Sequence, residues 1–186
     1  MMIYSALDVA KWIISEARKR GIVMTHMKLQ KLLYYAQAYA IGMTGTPLFK
    51  DEIQAWKHGP VVPSVYDSYN RYGANPIDDD RVAFVPEDGA SFIRAILDDM
   101  GNKTASELRG MTHNEAPWKN AWTAWRGLGA FQPISVEAIR EFYEDRFWGA
   151  DEEDDYQPVF NSPEEEEAYF LKGITEEERN AILASR

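Results

Sequence analysis

The chain has 186 residues, 45% of them hydrophobic and 13% aromatic, with no cysteine and a net charge of −10. That length makes one ordinary domain with room for an appendage, and it is enough to bury a real core. The absence of thiols excludes disulfide scaffolds and thiolate chemistry, and no run approaches the ~18 apolar residues of a membrane span.

Met1 to Leu7 lacks the basic-then-apolar order of a secretory leader, which points to a cytoplasmic location. The first helix is predicted over Leu7 to Arg20. Ser5 is its N-cap, Gly21 follows its end, and Arg18, Lys19 and Arg20 complement the negative end of its dipole. Ala6, Ala10, Ile13, Ile14 and Ala17 share one face. A second helix starts after Thr25, with a core stripe of Leu29, Leu32, Leu33, Ala36 and Ala40. It is expected to stop near Gly42, since Gly45 and Pro47 prevent continuation. Lys28 and Lys31 read as its solvated face, while Tyr34, Tyr35 and Tyr39 read as packing.

Glu52 to Lys57 alternates as a short strand with Ile53, Ala55 and Lys57 on one side and Gln54, Trp56 and His58 on the other. Gly59-Pro60 is expected to end it. Pro63 holds Val62 extended and opens a third helix, on which Val62, Val65, Tyr66 and Tyr69 line one face before Gly73 closes it. Arg81 to Val85 reads as a further strand, ended by Pro86. A helix from Ser91 to Met100 follows, broken by Gly101-Asn102. Thr104 and Glu107 form a capping box for a short helix ending near Gly110. Pro117 opens the next helix, where Trp118, Trp122 and Trp125 share a face. A hinge-like loop of Gly127, Gly129 and Pro133 then leads to a last body helix capped by Ser135. Val136, Ile139, Tyr143 and Phe147 repeat along that helix at helical spacing.

Beyond Gly149 the composition changes. Residues 1–149 carry 17 Lys and Arg against 18 Asp and Glu, a net of −1; residues 150–186 carry 3 against 12, a net of −9. Asp151 to Asp155 is an acidic run, read as a linker, followed by two short helices over 164–172 and 176–184. A near-neutral body with an acidic tail repels phosphates and suits a basic partner, so direct nucleic-acid binding is not expected. The fold class is predominantly α-helical (α+β). One helical domain over residues 1–148 carries a small two- or three-stranded β element around residues 52–58, and an acidic helical extension occupies 149–186.

Catalytic signatures are missing from the sequence. His26, His58 and His113 fall in no zinc-binding spacing, and no phosphate-cradling glycine motif or nucleophile elbow occurs. His58 reads as a strand-end residue bonded at a tight turn, and His113 as a brace for the Trp118 helix. No catalytic residue, cofactor or metal is therefore assigned.

Four words, in this order and spacing, carry a resemblance: Lys28-Leu29-Gln30-Lys31-Leu32-Leu33-Tyr34-Tyr35, Leu48-Phe49, Ala55-Trp56-Lys57-His58-Gly59-Pro60-Val61 and Val65-Tyr66. They resemble the Panacea domain family of SocA-like and phage-associated GepA-type proteins, as do Leu108 and Thr112-His113-Asn114-Glu115-Ala116-Pro117-Trp118. The resemblance covers roughly residues 1 to 147. It implies an antitoxin, not an enzyme, that neutralises a protein toxin by direct contact in a bacterial or phage toxin–antitoxin pair.

The surfaces expected to meet the toxin are the turn and helix carrying Trp56, Lys57, His58, Val61, Val62, Tyr66 and Tyr69, and the acidic tail with Asp151, Asp154, Asp155, Tyr169, Phe170 and Leu171. Acids beside apolar anchors suit a basic, nucleotide- or RNA-handling toxin surface. The alternative is a proteolytic adaptor that delivers a bound toxin to a protease. A hydrolase using His58 or His113 is a third, weaker reading.

Overall fold

The computed structural model describes residues 3–125 and 132–148, and these form seven α-helices and a three-stranded antiparallel sheet. In chain order they are α1 (Ala6–Lys19), α2 (His26–Thr44), β1 (Gln54–Trp56), β2 (Gly59–Val61), α3 (Pro63–Tyr69), α4 (Glu87–Met100), α5 (Ala105–Asn114), α6 (Ala116–Trp125), β3 (Gln132–Pro133) and α7 (Val136–Trp148). A single 3₁₀ turn, Asn70–Tyr72, follows α3. No helix among the described residues is long and apolar enough to cross a membrane.

The local signals explain most boundaries. Ser5 Oγ accepts from the Asp8 N–H at the start of α1, and Thr25 Oγ1 accepts from the Lys28 N–H at the start of α2. Thr104 and Glu107 close their capping box, and Ser135 Oγ accepts from the Ala138 N–H to open α7. The predicted inner face of α1 is buried, as is the stripe of α2.

Helix α2 is the axis of the molecule, packing against α1, α3, α4, α5, α7 and β2. A helix packed along most of its length by six elements keeps little solvated face, and the expectation for Lys28 and Lys31 fails here. Lys28 is 7% exposed and Lys31 1%. Each ammonium instead donates to a backbone carbonyl: Lys28 Nζ to Gly101 O at 2.7 Å, and Lys31 Nζ to Pro60 O of β2 at 3.0 Å. The neighbouring amides act likewise. Gln30 Oε1 accepts from the Val62 N–H at 2.8 Å, and Gln37 Oε1 accepts from both the Leu48 and Phe49 N–H groups. Lys28, Gln30, Lys31 and Gln37 are thus internal fasteners that satisfy backbone groups of neighbouring segments where water is excluded.

Other boundaries moved. Helix α2 runs through Gly42 to a left-handed Gly45 cap, because Gly42 is a packing position where α7 comes close: a Cβ there would lie 2.7 Å from Tyr143 Cβ. Gly59-Pro60 does not end the strand but begins its partner, with Trp56 opposite Gly59 and Gln54 opposite Val61. The turn between them is Lys57–His58. The third strand is supplied by Gln132–Pro133, so Pro133 belongs to the sheet edge and not to a loop. Arg81 to Val85 forms no strand; Val82 and Phe84 are exposed and only Val85 turns inward. Helix α4 begins at Glu87, just after Pro86, ahead of Ser91, and α5 continues through Gly110 to Asn114. Gly127, Gly129 and the predicted tail helices lie outside the described residues.

Candidate docking groove

Three elements converge beside the start of α2. His26 and Gln30, and Met27 and Lys31, are pairs at i, i+4, so the first two turns of α2 present all four to one side. The β1–β2 hairpin contributes Trp56, Lys57, His58 and Val61, and α3 contributes Tyr66. Together these nine residues line an open cavity of about 290 Å³. Its wall is aromatic: the Tyr66 ring lies 4.7 Å from His26 and 4.8 Å from Trp56, centre to centre.

The geometry is held from behind. Trp118 Nε1 donates to Trp56 O at 3.0 Å, and the Trp118 indole stacks on the buried His113 ring at 3.9 Å. His113 thus braces the Trp118 helix, as its sequence position anticipated. Trp118 stacks in turn on Trp122 at 5.6 Å, whereas the Trp125 side chain lies outside the described set. Trp56 Nε1 donates to Gln54 Oε1 at 2.9 Å, which fixes its ring. The hairpin is seated on α2 by the Lys31–Pro60 bond.

The electrostatics of this corner are unusual for an acidic protein. Its lining includes Lys31, Lys57, His26 and His58 and no Asp or Glu. Burial, and then the Lys31 charge, hold the His26 pKa below its ordinary value, so its imidazole is neutral at physiological pH. No cluster of three or more His, Cys, Asp or Glu suited to a metal occurs among the described residues.

Five of the residues singled out from sequence meet in this groove: Trp56, Lys57, His58, Val61 and Tyr66. Val62 and Tyr69 are fully buried and face the interior, Val62 bonded to Gln30 and Tyr69 to Asp79. Asp151, Asp154, Asp155, Tyr169, Phe170 and Leu171 lie outside the described residues. Sequence reasoning missed His26, Met27, Gln30 and Lys31. Their i, i+4 pairing was the available signal, hidden because lysine on a helix reads as solvated.

A second cavity of about 390 Å³ lies near Phe49, Asp51 and Ile134. Its Asp51 is already committed, accepting from the Ala6 N–H at 2.9 Å and from Ser64 Oγ at 2.8 Å. The hairpin groove is therefore the better candidate for recognition.

Residues 29–119 match the family described as "Antitoxin SocA-like, Panacea domain". Antitoxin SocA of Caulobacter vibrioides (strain NA1000 / CB15N) is 30% identical, the match covering 76% of this chain and 81% of that protein. No solved structure matches.

Proposed function

The chain belongs to the SocA-like Panacea family of antitoxins, and we propose that it neutralises a cognate protein toxin by direct contact through the hairpin groove. The observation that carries this reading is the groove itself: an open aromatic concavity built largely from the segment that carries the family match. Tryptophan and tyrosine in a partly exposed cleft are the residues that dominate protein–protein binding energy, because each brings a large rigid surface at low entropic cost. Trp56 and Tyr66 are the anchors, Val61 extends the apolar floor, and Lys57 and His58 form a polar rim. Val62 and Tyr69 support the groove without touching the partner.

Neutralisation acts by occlusion: the toxin surface is covered, and the antitoxin transforms nothing. The acidic run from Asp151 to Asp155, with Tyr169, Phe170 and Leu171 beyond it, supplies a second contact to a basic, nucleotide- or RNA-handling face of the toxin. Contacts of opposite sign at two places orient a partner better than either alone.

The test is co-expression with the protein encoded by the adjacent reading frame, using the full chain, a truncation after Trp148, and a Trp56→Ala, Tyr66→Ala double variant. The full chain restores growth, co-purifies with the toxin and leaves toxin abundance unchanged, whereas the double variant stays folded and loses both binding and protection. Growth poisoned equally with and without the full chain refutes neutralisation for that pair. A drop in toxin abundance replaces occlusion with delivery to a protease.

A further inference from the structure

We propose that the groove receives an acidic side chain of the toxin, an Asp or Glu carboxylate that enters past the Trp56–Tyr66 pair toward His26, Gln30 and Lys31. This rests on reading the groove as the toxin-contact surface and adds the chemistry of what enters it.

Charge complementarity points first. Residues 1–149 carry a net −1, and the lining of this groove holds two lysines and two histidines with no carboxylate. Two lysines unopposed by a lining carboxylate, in a partly enclosed, aromatic-walled site, draw in an anion and repel a cation.

Unmet donors point the same way. The Val62 N–H can only donate, so the Gln30 atom facing it at 2.8 Å must be the carbonyl oxygen, and the amide orientation is fixed. That leaves the Gln30 NH₂ as a donor, and it has no hydrogen-bond partner although Gln30 is only 2% exposed. His26 Nε2 is likewise without a partner in a residue 9% exposed. An amide NH₂ cannot accept, so Gln30 calls for an acceptor, and His26 Nε2 adds a second donor in the tautomer that carries its proton there. Buried donors left unpaired lose hydration with no return, and an incoming acceptor recovers it. Lys31 takes part through its charge, since its ammonium already donates to Pro60 O. A cavity of about 290 Å³ accepts one side chain and its neighbouring backbone, not a folded element.

The experiment is a titration of the full chain followed by ¹H–¹⁵N NMR at the Trp56 indole and Gln30 side-chain amide. The probes are acetyl-Glu-Leu-amide, its neutral counterpart acetyl-Gln-Leu-amide, acetyl-Gly-Leu with only a terminal carboxylate, and inorganic phosphate. The Glu peptide shifts both signals and binds about tenfold more tightly than the Gln peptide. Lys57→Glu, at an exposed rim position, abolishes that preference without unfolding the chain, and added salt weakens it. Equal binding of the Gln peptide, tighter binding of the terminal acid or of phosphate, or no shift at millimolar Glu peptide overturns the proposal. The two readings separate in cells. A Lys57→Glu chain that loses the peptide but still protects against toxin sinks this inference alone. A wild-type chain that binds the peptide but never protects sinks the toxin reading, and with it the toxin as occupant, while the carboxylate site itself stands.

Discussion

The Lys31 ammonium donates to the Pro60 carbonyl at 3.0 Å, fastening the second strand of the hairpin to the central helix. Gly59 sits beside that bond at φ 95°, and a Cβ there would lie 2.7 Å from Lys31 Nζ and 2.9 Å from Thr112 Oγ1. Backbone conformation and space both demand glycine. Gly59→Ala is therefore expected to cost more than about 1 kcal/mol. Urea unfolding would read this as a lower midpoint at unchanged slope. Wild-type stability in the variant would mean that the hairpin is not seated on Lys31.

Glycines 42 and 110 both lie inside helices but predict opposite signs. At Gly42 an added methyl meets Tyr143 Cβ at 2.7 Å and Phe147 Cδ2 at 2.8 Å. Tyr143 Cβ is tied to the α7 backbone, so relief requires the two helices to part. Overpacking of about 1–3 kcal/mol then outweighs a helix-propensity gain of about 1 kcal/mol. At Gly110 nothing lies within 4 Å, and alanine is expected to stabilise by about 0.5–1 kcal/mol. Thermal melts of Gly42→Ala and Gly110→Ala should fall on either side of wild type.

The contrast between those glycines marks where the sequence was legible. Caps, the inner face of α1 and the Trp118–Trp122 stack are local or periodic, and Ser5, Thr25, Thr104 and Ser135 stand where their hydrogen bonds require. Gly42, Gly59 and Lys31 are set by partners far along the chain, in α7 and the hairpin, and no local rule reports them. Lys31 on a helix is solvated in most contexts; here a carbonyl 29 residues away makes burial tolerable. The aromatic half of the groove was therefore readable from Trp56 and Tyr66, while the α2 side with His26, Gln30 and Lys31 emerged only with the tertiary fold.

Asp79 ties the loop after α3 to that helix. Its carboxylate accepts from Tyr69 Oη at 2.7 Å, from Arg81 Nε and Nη2 at 2.8 Å each, and from the Arg81 N–H at 3.1 Å. Those Arg81 bonds hold its carboxyl well below the usual range, against the opposing effect of burial. A depressed folded pKa contributes stability above the unfolded value, and that contribution is lost as pH falls through the folded one. Asp79→Asn is expected to cost about 1.5–3 kcal/mol at neutral pH. The lower end applies because the Arg81 side chain is 56% exposed to screening solvent. The gap to wild type should close in strong acid; a gap independent of pH would rule out an ionised Asp79 as its source.

Glu115, between α5 and α6, predicts the opposite pH trend. Its Oε2 accepts from Tyr34 Oη at 2.7 Å and its Oε1 from Tyr143 Oη at 3.0 Å, all three residues being buried. Burial pushes its carboxyl above the ordinary value, and the tyrosine hydrogen bonds pull it back without cancelling the shift. The folded chain therefore keeps a proton that the unfolded chain has released. The resulting stability is fully present below the unfolded pKa and is lost as pH rises through the folded one. Glu115→Gln preserves shape and an acceptor but does not titrate, so the stability of wild type relative to this variant should grow as pH falls through that window. Urea midpoints of both proteins across pH measure the difference, and a constant offset would contradict a raised carboxyl. Glu115→Leu strands the Tyr34 and Tyr143 hydroxyls in the core, at about 1–3 kcal/mol for each. It should therefore destabilise more than the glutamine at every pH, because this carboxylate bridges Tyr34 of α2 and Tyr143 of α7.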